Sequence, residues 1–148
     1  MKLLISIPYY NEANNLNIVL KRIPKKLKGI KNIEILIIDD GSTIPPPDNI
    51  FEHNLKIQIL KNKINKGLGL VFNRAQEYFI KKDFDIMVTI DSDNQFEPKD
   101  LDKLLNPILN QEADVVLASR FKDANSQPLN IPYLKKIGNK IFANILSF

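Results

Sequence analysis

Asp91-Ser92-Asp93-Asn94-Gln95 follows the apolar run Ile86-Met87-Val88-Thr89-Ile90, so two carboxylates stand one residue apart at the mouth of a buried strand. Each repels the other and neither gains by leaving water, a cost that a bound divalent cation removes. With no cysteine and one histidine, His53, the chain offers zinc and other soft-ligand metals almost nothing. Carboxylate, amide and water oxygens suit Mg²⁺ or Mn²⁺ instead, and such hard cations usually accompany phosphate. The competing reading is structural: Asp91 and Asp93 cap the next helix or lie in a solvated loop.

Other polar clusters also close apolar runs: Pro8-Tyr9-Tyr10-Asn11-Glu12, Asp39-Asp40-Gly41-Ser42 and Ser119-Arg120-Phe121. An aromatic ring can stack on a base or sugar, and carboxylates accept hydrogen bonds from ligand N–H or O–H groups. Alone, Pro8, Tyr10 and Glu12 would do no more than shape a turn and open a helix. Asp39-Asp40-Gly41-Ser42 reads as a strand-to-loop turn in which Gly41 takes a positive φ and Ser42 caps the next segment, and the turn itself would present a carboxylate. Gly67 and Gly69 form one Gly-x-Gly without the longer dinucleotide fingerprint. Small residues there are expected to let backbone pack closely on a sheet. His53 is expected in a solvated loop; with no histidine near a strand-end serine, a serine hydrolase is excluded.

These clusters need a scaffold, and the apolar pattern supplies one. Leu3 to Ile7, Ile33 to Ile38, Leu55 to Leu60, Asp85 to Ile90 and Asp114 to Ala118 are too short for helices and rich in Ile, Val and Leu, predicting five strands. Helical spacing predicts helices over Ala13 to Ile23, Gly69 to Lys81 and Pro98 to Leu109, with Pro98 in a first turn. Alternating strands and helices imply an α/β fold with a mostly parallel sheet flanked by helices. The second, fourth and fifth runs are nearly continuously apolar, implying cover on both sheet faces. The third alternates and belongs near an edge. Ligands of such sheets bind beyond the carboxyl ends of the strands, where the clusters fall.

The 148 residues with 44% hydrophobic content suffice for one core, so a single domain over 1–148 is expected. A net charge of +4 suits anionic partners but carries little weight in so lysine- and asparagine-rich a chain. The amino terminus reads as a strand rather than a signal peptide. No apolar stretch approaches the ~20 residues of a membrane span, so a soluble or peripheral protein is expected. Thr43 to Asn49 reads as a stiff loop, and Ile131 to Phe148 as an amphipathic helix that covers the sheet or meets anionic headgroups through Lys135, Lys136 and Lys140.

Taken with Asn65-Lys66-Gly67-Leu68-Gly69, the clusters resemble, in order and spacing, the nucleotide-sugar half of glycosyltransferase family 2, most closely the polyprenol-phosphate glycosyltransferases. The resemblance implies a Rossmann-like GT-A fold and a nucleotide pocket lined by Pro8, Tyr10 and Glu12, with Ile38 beside the base and Asp40 bonding to base or ribose. It implies that Asp91, Asp93 and Gln95 hold Mg²⁺ or Mn²⁺, that Ser92 lies near ribose or phosphate, and that Arg120 reaches the diphosphate, where a guanidinium fork fits well. Asp91, Asp93 and Arg120 are then the catalytic residues of an inverting transfer from a nucleoside-diphosphate sugar. The acceptor it implies is a polyprenyl phosphate in cell-envelope glycan synthesis, an anion that needs no general base. Relatives continue past the Arg120 region, so the acceptor half is expected to be largely absent. A cytoplasmic site, peripheral at the membrane face or with a partner subunit, is expected, and no nucleic acid partner. Two alternatives remain: a non-catalytic nucleotide-sugar-binding or assembly domain, and a nucleotidyltransferase, though the latter would show a basic, glycine-rich loop after the first strand.

Overall fold

The computed structural model describes residues 1–48, 50, 55–94, 97 and 100–118. The chain divides into two compact units, Met1–Asp114 and Val115–Phe148. The first contains β1 (Lys2–Tyr9), α1 (Ala13–Arg22), β2 (Asn32–Asp39), β3 (Lys56–Lys61), α2 (Leu68–Lys81), β4 (Ile86–Thr89) and α3 (Leu101–Leu109). The strands form one sheet in the order β3-β2-β1-β4, every pairing parallel.

Alternation of side chains across β1 and β2 builds two cores. Leu3, Ile5, Ile7 and Tyr9 face one side with Ile35 and Ile37, covered by Leu16, Val19, Leu20 and Ile23 of the α1 region and by Leu101 and Leu105 of α3. Leu4, Leu36 and Ile38 face the other, under Val71 and Ala75 of α2. The i, i+3, i+4 and i+7 spacing on α1 that predicts the helix also aims its apolar stripe at the sheet. Each fully buried aliphatic side chain contributes about 1.5–3 kcal/mol.

The predicted edge position of the third run holds, since among the described residues β3 has only β2 as a neighbour. One strand expectation holds in part and another needs correction. Along the fourth run Ile86, Val88 and Ile90 pack into the first core and Met87 against the second, so both faces are covered, though Met87 and Val88 are only partly buried and Thr89 is exposed. Residues 114–118 form no strand; Val115 and Leu117, which would share one face of a strand, are 76% and 86% exposed, so little apolar burial favours pairing there. His53, Gln95, Pro98, Ser119-Arg120-Phe121 and the 131–148 segment lie outside the described residues. Among the described residues, no helix is long and apolar enough to cross a membrane.

Candidate functional site

The parallel ladder sets three strand-end clusters side by side. Beyond the strands proper, the Asp40 N–H donates to Tyr9 O at 2.9 Å, the Ile90 N–H to Ser6 O at 2.9 Å and the Asn62 N–H to Asp39 O at 2.8 Å. The register pairs Tyr9 with Asp39 and Pro8 with Ile38. From β1 the chain runs outward to β2 and β3, then returns to place β4 on the other side of β1, so the strand order reverses at β1. That reversal is where open α/β sheets leave a crevice for ligands.

An open cleft of about 300 Å³ occupies this position, lined by Pro8, Tyr9, Tyr10, Glu12, Asp40, Asn65, Gly67, Leu68, Val71, Asp91, Ser92 and Asp93. Seven residues expected at a nucleotide-sugar site therefore share one hollow. Ile38 does not join them. It is fully buried beneath Val71 of α2, one pleat below Asp40 on the same face. Gln95 and Arg120 lie outside the described residues.

The first wall starts at Asn11, whose positive φ of 58° turns the chain out of β1. Its N–H donates to Ser42 Oγ at 3.1 Å, and its Oδ1 accepts from Thr43 Oγ1 at 3.1 Å and the Ile44 N–H at 2.8 Å. Glu12 then caps α1 with its backbone carbonyl, which accepts from the Asn15 and Leu16 amides, while its Oε2 accepts from Asn15 Nδ2 at 2.7 Å. Tyr10 is 47% exposed at the rim, with ring area available for stacking. Tyr9 is buried and its hydroxyl donates to Ile44 O at 2.9 Å. Burial raises its pKa, helped by the negative charges of Asp39 and Glu12.

The adjacent carboxylates Asp39 and Asp40, at and just past the end of β2, point to opposite faces. Asp39, on the Tyr9 side, is fully buried; its Oδ1 accepts from the Ser42 N–H at 2.9 Å, and the Lys61 ammonium stands 3.8 Å from Oδ2. Asp40, on the cleft side, is 5% exposed. Its Oδ1 accepts from Asn62 Nδ2 at 2.7 Å and the Lys66 N–H at 3.0 Å, and its Oδ2 from the Gly67 N–H at 2.8 Å. Burial pushes the Asp40 pKa up, but the bonds from Asn62, Lys66 and Gly67 and the Lys66 charge outweigh it and leave the net value below the ordinary carboxylate range. Asp40 thus fastens the β3–α2 loop as well as lining the cleft.

Gly41 takes φ +72° as the turn pattern predicts, and a Cβ there would lie 2.3 Å from the Ile64 carbonyl carbon. Ser42 does not cap a helix; its Oγ accepts from Asn11 instead. The expectation for Gly67 and Gly69 fails: a Cβ at either meets nothing within 4 Å. Gly67 is required for its φ of +84° at the N-cap of α2, not for close packing. Asn11 and Asn65-Lys66-Gly67-Leu68-Gly69 were among the clusters, but the bonds Asn11 makes to the 42–44 turn and the hold of Asp40 on Asn62, Lys66 and Gly67 were missed. Their signal was present in the asparagines, which favour left-handed turns and local backbone bonds.

Asp91, exposed, and Asp93, half-buried, flank the buried Ser92 across the cleft. The N-cap of α3 is Asp100, so neither carboxylate caps that helix. Arg22, in the last turn of α1, donates to Asn94 Oδ1 at 2.6 Å and pairs with Glu97, pinning those two residues. Among the described residues no cluster of three or more histidine, cysteine or acidic side chains could hold a metal. Two carboxylates are the donor set that Mg²⁺ or Mn²⁺ takes when substrate phosphates and water supply the rest, so the residues present fit such an ion.

Glycosyl transferase family 2 matches residues 4–145. The chain belongs to this family. It is 30% identical over 146 residues to the dolichol-phosphate mannosyltransferase of Pyrococcus furiosus, covering 95% of this chain and 39% of that protein. It is 29% identical over 152 residues to the UDP-N-acetylglucosamine–dolichyl-phosphate N-acetylglucosaminyltransferase of Methanococcus voltae, covering 90% and 57% respectively. The chain thus spans roughly half the length of these curated relatives. The fold is that of GT-A glycosyltransferases. The mannosyltransferase PcManGT of Pyrobaculum calidifontis, solved with GDP-Man and Mn²⁺, superposes with a TM-score of 0.55 at 19% identity over 72% of this chain and 31% of that one. S. aureus TarS 1-349 with UDP-GlcNAc gives 0.54 at 20% identity over 83% and 39%.

Proposed function

We propose that this family 2 chain forms the donor side of a metal-dependent, inverting glycosyltransferase that moves a sugar from a nucleoside-diphosphate sugar to a polyprenyl phosphate. The observation that carries this reading is the convergence of Pro8, Tyr10, Glu12, Asp40, Asp91, Ser92 and Asp93 on one cleft at the strand-order reversal.

In this reading the half-exposed ring of Tyr10 stacks on the base or sugar, and Glu12 offers a carboxylate to ligand hydroxyl or amide donors. Asp40 has spent three strong acceptor bonds on the loop and offers the ligand its remaining capacity. Asp91 and Asp93 would hold Mg²⁺ or Mn²⁺, which supplies stabilisation of the charge on the departing diphosphate. Arg120 is assigned the same diphosphate region. A phosphate acceptor is already an anion near neutral pH, so the displacement at the anomeric carbon asks no proton transfer of this chain. The activities named for the curated relatives, on dolichol phosphates, and the GDP-Man and Mn²⁺ bound to one solved neighbour support the choice of acceptor, donor and ion.

Calorimetry with UDP-, GDP- and dTDP-sugars, with and without Mn²⁺, tests the donor site: binding of one donor that strengthens with the ion is expected, and no binding of any would overturn the proposal. Incubation of the bound donor with polyprenyl phosphate then tests the reaction. Glycosylated lipid with released nucleoside diphosphate supports transfer, and unchanged donor supports a binding or assembly domain; a separate incubation with nucleoside triphosphate and sugar 1-phosphate that releases pyrophosphate would mark a nucleotidyltransferase.

A further inference from the structure

The geometry points to Arg74 and Asn62 as positioning residues for the cleft: a hydrogen-bond relay from Arg74 through Asn62 to Asp40 sets the β3–α2 wall and so governs ligand affinity. Neither residue lines the cleft. For the class of ligand, a nucleoside diphosphate, the inference rests on the function proposed above.

Arg74, on α2, donates through one nitrogen to Lys61 O at 3.0 Å and to Asn62 Oδ1 at 2.5 Å. Asn62, only 9% exposed, passes the interaction on through Nδ2 to Asp40 Oδ1 at 2.7 Å. Asp40 then accepts the Lys66 and Gly67 amides, the latter at 2.8 Å. A guanidinium can only donate and an ionised carboxylate can only accept, so only a side chain with an acceptor at one end and a donor at the other can join them. Asn62 is that side chain, and its orientation is fixed by its two neighbours. Aspartate would place a second anion against Asp40, and an apolar residue would leave both neighbours short of a partner in a buried place.

The far end of the relay is the wall itself. Asn65, Gly67 and Leu68 line the cleft, and the amides of Lys66 and Gly67 are held by Asp40. The loop also lies close against the 39–42 turn, since Ile64 and Asn65 backbone atoms are 2.3–2.7 Å from where a Cβ of Gly41 would be. Arg74 tethers α2 to the end of β3, so freeing it releases the loop that both elements frame.

The test uses the full chain and the variants Arg74→Ala, Asn62→Ala, the double variant and Arg74→Lys, with UDP and GDP as probes in the presence of Mn²⁺. Amide hydrogen exchange at Lys66 and Gly67 is expected to quicken in each single alanine variant. Affinity for whichever nucleotide the parent binds should fall about fivefold to tenfold in each. The double variant should bind no more weakly than the worse single one, because both changes cut one path. Arg74→Lys, which keeps a donor for Asn62, should recover part of the loss. Multiplicative losses, or unchanged affinity despite faster exchange, would overturn the relay as a positioning device. If Asn62→Ala does not fold, Asn62→Ser takes its place. A parent that binds neither nucleotide would defeat the proposed function, and exchange alone would then decide: unaltered protection of Lys66 and Gly67 in both variants overturns the inference.

Discussion

Alanine at Gly41 and at Gly69 should shift stability in opposite directions, although both glycines flank the same cleft. At Gly41 the backbone sits at φ +72°, and a Cβ would meet the Ile64 carbonyl carbon at 2.3 Å, the Asn65 nitrogen at 2.5 Å and Ile64 Cα at 2.7 Å. All three are main-chain atoms, so no rotamer change relieves the overlap. The left-handed conformation costs about 1–2 kcal/mol for an alanine, and displacing a packed loop adds about 1–3 kcal/mol. The sum, on the order of 2–5 kcal/mol, corresponds to a melting point lower by roughly 5–20 °C for a domain of this size. At Gly69 the φ is ordinary, the Cβ would meet nothing within 4 Å, and the residue is the second of α2. Alanine there restricts the unfolded chain and favours the helix, a gain of about 0.5–1 kcal/mol. Thermal and urea unfolding of the two variants beside the parent measures both effects. A Gly41→Ala loss below about 1 kcal/mol, or an equal loss at both positions, would refute the claim that the 39–42 turn and the β3–α2 loop are interlocked.

Arg22→Ala should leave the melting point nearly unchanged, because the side chain is 37% exposed, yet weaken Mn²⁺-dependent nucleotide binding severalfold by releasing Asn94; calorimetry that shows no weakening counts against the pinning role. Asp40 has a native pKa below its ordinary value, so its contribution to stability is present above the unfolded pKa of about 4 and is lost as pH falls through the native one. Asp40→Asn should accordingly be less stable near neutrality and show a shallower loss in acid, and a parallel pH–stability curve would contradict this. The Tyr78 hydroxyl donates to Glu34 Oε1, and burial, that bond and the Glu34 charge push its pKa up to about 12. Its stabilising effect is therefore complete below the unfolded value near 10 and fades as pH rises through the native one; Tyr78→Phe should remove a late-titrating phenol from an ultraviolet titration and destabilise by about 1–2 kcal/mol. Asp93→Ala should abolish the strengthening of donor binding by Mn²⁺ without altering the fold, and a donor affinity that still responds to the ion would remove Asp93 from the metal site.

Much of this was legible in the chain because its strongest signals are local. Runs such as Ile33 to Ile38 give both the strand and the cover it needs, and the helix of α1 follows from the spacing of Leu16, Val19, Leu20 and Ile23. Placing Pro8, Asp40 and Asp91 together needed only the rule that parallel strands end at one edge. The hidden parts depend on distant partners. Apolar residues at 114–118 and along β4 look alike in sequence, but pairing depends on a neighbour that composition does not name. Ile38 sits one pleat from the tip of β2, and its place in the buried core with Val71 rather than in the cleft lining depends on a helix distant in sequence. Asn65 to Gly69 reads as a motif from the sequence, but the role of Asn62 just before it shows only when its amide is seen between a guanidinium and a carboxylate.

Asp39 and Asp40 are neighbours in sequence that serve opposite sides of one sheet, so the length of β2 is itself chemical information. A single residue inserted or deleted upstream in that strand would invert the pair. The acid that grips the loop would turn inward toward Tyr9, and the one stabilised beside Ser42 would be thrust into the cleft. Substitutions in the surrounding turns can retune such a site, but indels in this strand cannot be absorbed gradually, and tolerance to them should drop sharply between the 43–48 loop and the strand just before it.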